Sequence, residues 1–292
     1  MSNLAKYLMA AAGNTSSAGG SADYREASEY THIAFDTVVG FGDSGSDVLG
    51  VFIKPDGTKF YHMDTAEQVE EYNLSTPFDI TSHGNRINQV NLRTLTSSAN
   101  AAGSSIFFKP DGTKMWCSDI DDYLYEYTLS TAWDISTMSF TRSRGFTNPF
   151  NNFRGLYFSP DGTKFFGIDN GLDKVKRFDM STAWDITTAA YHSDSSLLDV
   201  SATISENTPI CFWMSDDGLI AYVVGSTRDY IYSWDLDEAW DISGNLNRNA
   251  DSFRFIRNEE TSARCMCFSS DGRYIYIGGA DGNGIDVWDR GS

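Results

Sequence analysis

An apolar run followed by Asp-Gly occurs five times in this chain, and nothing else in it constrains the fold as tightly. The copies span residues 51–57, 106–112, 156–162, 212–218 and 266–272, and their glycines lie 55, 50, 56 and 54 residues apart. Self-similarity at such a period marks propellers, solenoids and other repeat architectures. Asp-Gly between two apolar runs is a tight hairpin signal, because glycine supplies the positive φ that the turn needs. A second apolar run follows each turn (residues 59–61, 114–116, 164–166, 220–222 and 274–276). A third ends in Tyr72, Tyr127, Phe178, Trp234 or Trp288, 15 or 16 residues past the glycine. Its alternation has the period of two expected of strands. Ser-Thr-x-aromatic-Asp-Ile comes next, at 75–80, 130–135 and 181–186, with a degenerate copy at 237–242. A more polar fourth strand is then expected, as in residues 138–141 and 189–192.

Four strands per unit, the first most apolar and the last most polar, describe a propeller blade: the first strand is covered by neighbouring blades and the fourth is the outer edge. The expected fold is therefore all-β, a five-bladed β-propeller with four antiparallel strands per blade. The fifth unit runs out of chain before a fourth strand, since its Asp-Ile element would fall near position 296, beyond Ser292. Residues 31–39 resemble the fourth strands of the other units but have no blade of their own. Placing that N-terminal strand on the C-terminal blade closes the ring and leaves no wide unpaired edge. Residues seven before each glycine are all small (Gly50, Ser105, Gly155, Cys211 and Cys265), which suits a narrow axis. The four cysteines, Cys117, Cys211, Cys265 and Cys267, lack Cys-x-x-Cys spacing and read as buried thiols.

The domain reading is residues 26–292 as the propeller and 1–25 as an N-terminal arm and flexible linker, an assembly anchor. Leu4, Tyr7, Leu8 and Met9 are the arm's expected apolar contacts, and residues 13–21 are rich in Gly, Ser and Ala. The apolar residues 7–12 are too few and too weakly flanked by positive charge for a secretory leader, and no run approaches the roughly 18 residues of a membrane span. Of 292 residues, 40 are acidic and 22 are Lys or Arg, a net charge of −18. That balance argues against nucleic acid as a partner, which needs clustered cations.

The combination Phe-x-Pro-Asp-Gly-Thr-Lys and Leu-Ser-Thr-Ala-Trp-Asp-Ile-Ser/Thr resembles repeat proteins of marine phage structural genes, and of some bacterial surface proteins. Residues 1–13, Met-Ser-Asn-Leu-Ala-Lys-Tyr-Leu-Met-Ala-Ala-Ala-Gly, look like the start of cyanophage-type virion proteins. The repeat likeness covers nearly the whole chain, whereas the N-terminal likeness is short. Asp216 and Ser270 stand where the motif has Pro, and the fifth unit lacks Trp-Asp-Ile. The resemblance implies a virion appendage, a fibre, tail or capsid decoration protein, held by its arm to other virion proteins and touching a host surface. It brings no catalytic residues.

Chemistry would sit on the face carrying the loops between strands two and three and between strands four and one. The first set is acidic: Asp64, Asp119, Asp121, Asp122, Asp169, Asp173, Asp229 and Asp281, with Glu67. As a carboxylate arc these are the candidate ligand or cation face, and Ca²⁺ would find hard oxygen ligands there. No segment matches the Asp-x-Asp-x-Asp-Gly calcium loop, and the repetition of Asp64, Asp119 and Asp169 favours turn capping, so no cofactor or metal site is expected. The second set is longer and more varied, and Phe150, Asn151 and Asn152 form a candidate glycan contact there. Trp133, Trp184 and Trp240, with Phe78, read as packed turns. His32, His62, His83 and His192 share no metal spacing, and no Gly-x-Ser-x-Gly elbow exists. The expectation is a noncatalytic structural protein. The alternatives are a glycan-binding, lectin-like propeller and, less favoured, a glycosidase, whose paired carboxylates meet in space and not in sequence.

Overall fold

The computed structural model describes residues 30–36, 47–96, 103–146, 149–193, 198–200, 206–243, 253–255, 262–280 and 284–291. Five antiparallel sheets form a five-bladed β-propeller. The first blade comprises β2 (Val48–Ile53), β3 (Lys59–Asp64), β4 (Gln68–Asn73) and β5 (Asn88–Asn91); the second β6 (Gly103–Phe108), β7 (Lys114–Asp119), β8 (Tyr123–Leu129) and β9 (Met138–Gly145). The third has β10 (Phe153–Phe158), β11 (Lys164–Asp169), β12 (Lys174–Met180) and β13 (Ala189–Tyr191), with the short β14 (Leu198–Asp199) also on β12. The fourth has β15 (Pro209–Met214), β16 (Ile220–Gly225), β17 (Tyr230–Asp235) and β18 (Phe253–Phe255). The fifth has β19 (Ala263–Phe268), β20 (Tyr274–Gly279) and β21 (Ile285–Asp289), and its outer strand is β1 (Thr31–Asp36), antiparallel to β21 with Thr31 opposite Asp289.

The Asp-Gly turns follow one chemistry in every blade. The glycine N–H donates to the carbonyl three residues earlier, as Gly57 does to Lys54 at 2.8 Å, and the five glycines have φ between +68° and +73°. The adjoining aspartate accepts the N–H two residues on, as Asp161 does from Thr163 at 2.9 Å. Proline suits the preceding position through its fixed φ, but other residues serve there, which is why Asp216 and Ser270 cost the turn little.

The aromatic of Trp-Asp-Ile sits on that glycine. Phe78, Trp133, Trp184 and Trp240 all have φ between +63° and +66°, a conformation that bulky residues rarely adopt. Each donates its N–H to the glycine carbonyl of its own blade, at 2.8–3.1 Å. A methyl group on Gly162 would lie 2.2 Å from Trp184 Cε2, so glycine is required for contact as well as for φ. The following aspartate caps a 3-10 turn, with Asp134 accepting from Ser136 N–H, and the isoleucine is buried (Ile80, Ile135, Ile186 and Ile242). The aromatic carbonyl then ties blades together: Tyr61 donates to Trp133 at 2.8 Å, Arg177 to Trp240 at 3.1 Å, and Tyr276 to Phe78 at 2.6 Å.

The fifth blade lacks this element, and Tyr30 replaces it. Its hydroxyl donates to the Gly272 carbonyl at 2.5 Å, and its ring meets Phe268 edge-on at 5.8 Å. The N-terminal segment thus supplies both the missing strand and the missing aromatic cap.

The small residues seven before the glycines line the seams between blades and not the axis, which corrects the expectation. A Cβ on Gly50 would lie 2.9 Å from Ile106 of the next blade, and one on Gly155 would lie 2.8 Å from the Ile210 carbonyl. Cys211 Sγ lies 3.5 Å from the Met266 carbonyl, and Cys265 Sγ lies 3.7 Å from that of Val48. Inner strands approach so closely there that only small side chains fit. The axis is filled two residues further on, where Phe52, Phe107 and Tyr157 surround Trp213, with ring centroids 6.4, 6.0 and 5.0 Å from it.

Candidate functional site

The loop face holds the acidic residues, and the backbone uses most of them. Asp64 Oδ1 accepts from the N–H groups of Ala66 and Gln68, both at 2.9 Å. Asp119 Oδ1 accepts from Asp121 and Tyr123, and Asp169 Oδ1 from Leu172. These three carboxylates are buried and close the turn between the second and third strands. Burial raises the carboxyl of Asp119 to about 6, and Asp121 adds like-charge repulsion.

Glu67, Asp122, Asp173 and Asp229 end the same turn with φ between +56° and +67°. Asp122 reaches the third blade, accepting from the N–H groups of Asn152 (2.8 Å) and Phe153 (3.0 Å). Glu67 accepts from Arg93 at 2.8 Å. Burial raises the carboxyls of Asp122 and Asp173, with further contributions from Asp169 to the first and Asp199 to the second. Asp121 is exposed. Asp281, Leu4, Tyr7, Leu8 and Met9 lie outside the described residues.

Blade four reaches the same turn cap by a different route that sequence reasoning missed. Gly225 stands where blades one to three have aspartate, and the buried carboxylate of Glu206 occupies the space. A Cβ on Gly225 would lie 2.4 Å from Glu206 Cδ. Glu206 accepts from the N–H groups of Thr208 and Thr227 (both 3.0 Å) and Arg228 (3.2 Å). The signal was faint: a glycine breaking a three-fold run of aspartates, with an acid 19 residues before it.

The candidate glycan contact is corrected in one member. Phe150 is 2% exposed, because Gly167 leaves room beneath it and its ring stacks on Phe153 with centroids 4.1 Å apart. It offers no open face to a sugar. Lys176 is also buried beneath it, paired with Asp169 and 5.5 Å from the Phe150 ring. Asn151 is exposed, and its carbonyl accepts from Gly171 N–H at 2.9 Å. Asn152 is half-buried, with φ +74°, and accepts from Arg154 Nε at 3.1 Å. Structure therefore brings Asn152 beside Arg154 and Asp122, sets Asn151 against Gly171, and sends Phe150 into the blade.

Elsewhere, His62 is buried against Glu70, which also accepts from Tyr72 at 2.6 Å and from Arg86. These partners outweigh burial and hold the Glu70 carboxyl down at about 2, while burial lowers His62. Cys117, Cys211, Cys265 and Cys267 are buried and form no disulfide. Burial pushes the Cys211 thiol up to about 12, so it carries little thiolate. Among the described residues, no group of three or more His, Cys, Asp or Glu converges as metal ligands, and no helix is long and apolar enough to cross a membrane.

No family model matches the chain, and no curated protein matches it. Solved structures that resemble it share the propeller-like fold. One, a candidate 6-phosphogluconolactonase from Bacteroides uniformis, is 12% identical with a TM-score of 0.46; the match covers 73% of this chain and 57% of that one. A protein of unknown function from Desulfotomaculum acetoxidans is 12% identical with a TM-score of 0.48, covering 82% of this chain and 68% of that one. A candidate 6-phosphogluconolactonase from Bacteroides fragilis is 15% identical with a TM-score of 0.45, covering 70% and 54%. The chain thus spans little more than half the length of both Bacteroides proteins.

Proposed function

We propose that this chain is a noncatalytic structural protein of a virion, a fibre, tail or capsid decoration, that holds a propeller outward by its N-terminal arm. One observation carries the reading. The segment preceding β1 joins the ring at the Asp-Gly turn face, where Tyr30 bonds Gly272 and Thr31 lies opposite Asp289. The described residues of the varied loops, 149–152 and 206–208, lie at the opposite ends of the strands. An anchor on one face and variable loops on the other is the arrangement wanted for display. The engagement of Asp64, Asp119, Asp122, Asp169 and Glu206 by backbone N–H groups also favours a scaffold over a hydrolase, whose paired carboxylates must address substrate.

Deletion of residues 2–20 tests this. The truncated chain should keep its circular dichroism and its melting temperature, but fail to enter purified particles. Unaltered incorporation would overturn the role of the arm.

A further inference from the structure

At the loop end of the innermost strands, eight residues before each turn glycine, stand Leu49, Ser104, Arg154, Ile210 and Arg264. These positions lie at one level around the axis; Ser104 and Ile210 are buried, whereas Leu49, Arg154 and Arg264 are partly exposed. Strand pairing slips here in every blade, and in β2, β6, β15 and β19 the residue concerned has no partner across the ladder. Such bulges re-aim side chains. The aromatic cluster around Trp213 lies three residues deeper, about 10 Å at strand rise.

Two of the five positions are arginines, in a chain of net charge −18. Several other cations sit close to a carboxylate: Arg93, Lys114, Arg177 and Arg273 each lie within 2.9 Å of a carboxylate oxygen. Among the described residues Arg154 has no carboxylate at that distance, and Arg264 has only a looser one. Arg154, half-buried, donates Nε to the neutral Asn152 Oδ1 at 3.1 Å. Arg264 lies 3.8 Å from Asp47 Oδ2, beyond hydrogen-bond reach, and its Nε is buried with no hydrogen-bond partner. Burial lowers the guanidinium of Arg154 from its ordinary value, and the charge of Arg264 lowers it further, so each arginine feels the other. Two half-buried cations that repel, one with an unused donor, are stabilised by an anion between them.

We propose that the loop end of the innermost strands binds an oxyanion, a carboxylate, phosphate or sulfate group, held between the guanidiniums of Arg154 and Arg264. Guanidinium forks match these groups in shape and charge. The site is independent of the virion role and stands whether or not the arm anchors a particle.

The test is an arginine Nε–Hε correlation spectrum of the full ¹⁵N-labelled chain, titrated with sodium phosphate and separately with sodium glucuronate. Ionic strength is held constant with sodium chloride, which also serves as the control. Saturable shifts of two arginine signals are expected with one or both anions. Phosphate alone would identify a phosphoryl ligand, and glucuronate alone an acidic sugar; either supports the clamp. R154Q and R264Q, checked for fold by circular dichroism, should each weaken binding about tenfold or more, as losing a charge-assisted pair requires. A response to both anions indistinguishable from chloride overturns the proposal, as does unchanged affinity in the R154Q/R264Q double variant. The wild-type titration decides the matter even if a variant fails to fold.

Discussion

Replacing Tyr30 tests how the ring is closed. In four blades an aromatic backbone N–H occupies the glycine carbonyl of the turn; in the fifth, among the described residues, the Tyr30 hydroxyl does so, from 242 residues away in sequence. Tyr30→Phe keeps the fully buried ring and removes the hydroxyl, leaving the Gly272 carbonyl without that donor, a loss of about 1–3 kcal/mol. Tyr30→Ala also empties the space against Phe268, and aromatic-to-alanine changes in cores cost about 3–5 kcal/mol before the hydrogen bond is added. With about 2.1 cal/mol/K of unfolding entropy per residue, each kcal/mol is roughly 2 °C in a domain of this size. Tyr30→Phe should therefore lower Tm by about 2–6 °C and Tyr30→Ala by roughly 8–16 °C. Scanning calorimetry and urea unfolding monitored by tryptophan fluorescence measure both. Tyr123→Ala, at a side chain 41% exposed, is the control. A Tyr30→Ala variant no less stable than that control would refute the closure argument.

Three further outcomes are expected. Gly162→Ala forces a Cβ to 2.2 Å from Trp184 at φ +68°, and should destabilise by about 3 kcal/mol or more, read as the urea midpoint. In blade four, Glu206→Ala should cost about 2–3 kcal/mol through three lost backbone bonds, and Gly225→Asp alone should clash; combining them should recover part of the loss, because the new aspartate takes the place held by Asp64, Asp119 and Asp169 elsewhere. Additive losses in that double variant would count against the equivalence. Asp119 supplies a pH dependence: burial raises its carboxyl from 3.8 to about 6, so the folded chain binds this proton more tightly than the unfolded chain. Its contribution is fully present below the unfolded value and is lost as pH rises through the folded one. Asp119→Asn should then gain about 1–2 kcal/mol over wild type at pH 8 and nothing at pH 4, in parallel urea titrations.

Much of the fold was legible because repeats report their own boundaries. Each Asp-Gly turn constrains two strands by local chemistry, and the missing fourth strand at the C-terminus required a donor that only residues 31–39 could supply. The small residue seven before each glycine was legible as a constraint but not as a location, since strand period alone does not say whether a position faces the axis or a neighbouring blade. The candidate site was less legible. Asp64, Asp119 and Asp169 were recognised as equivalent, and the structure shows them closing turns. Phe150 looked available because it lies in a varied loop; its burial depends on Gly167, 17 residues later, leaving room for the ring.

By itself, the sequence determined the number of blades, the order of strands, the turn chemistry and the identity of the closing strand, because all of these follow from local propensity and from spacing. Tertiary structure alone decided which distant groups share a place. Tyr30 meets Gly272, the Glu206 carboxylate fills the space beside Gly225, and Asp122 holds the backbone of Asn152 and Phe153 in the next blade. Those pairings arise when the ring closes and brings the ends of separate repeats around one axis, and no periodicity along the chain records them.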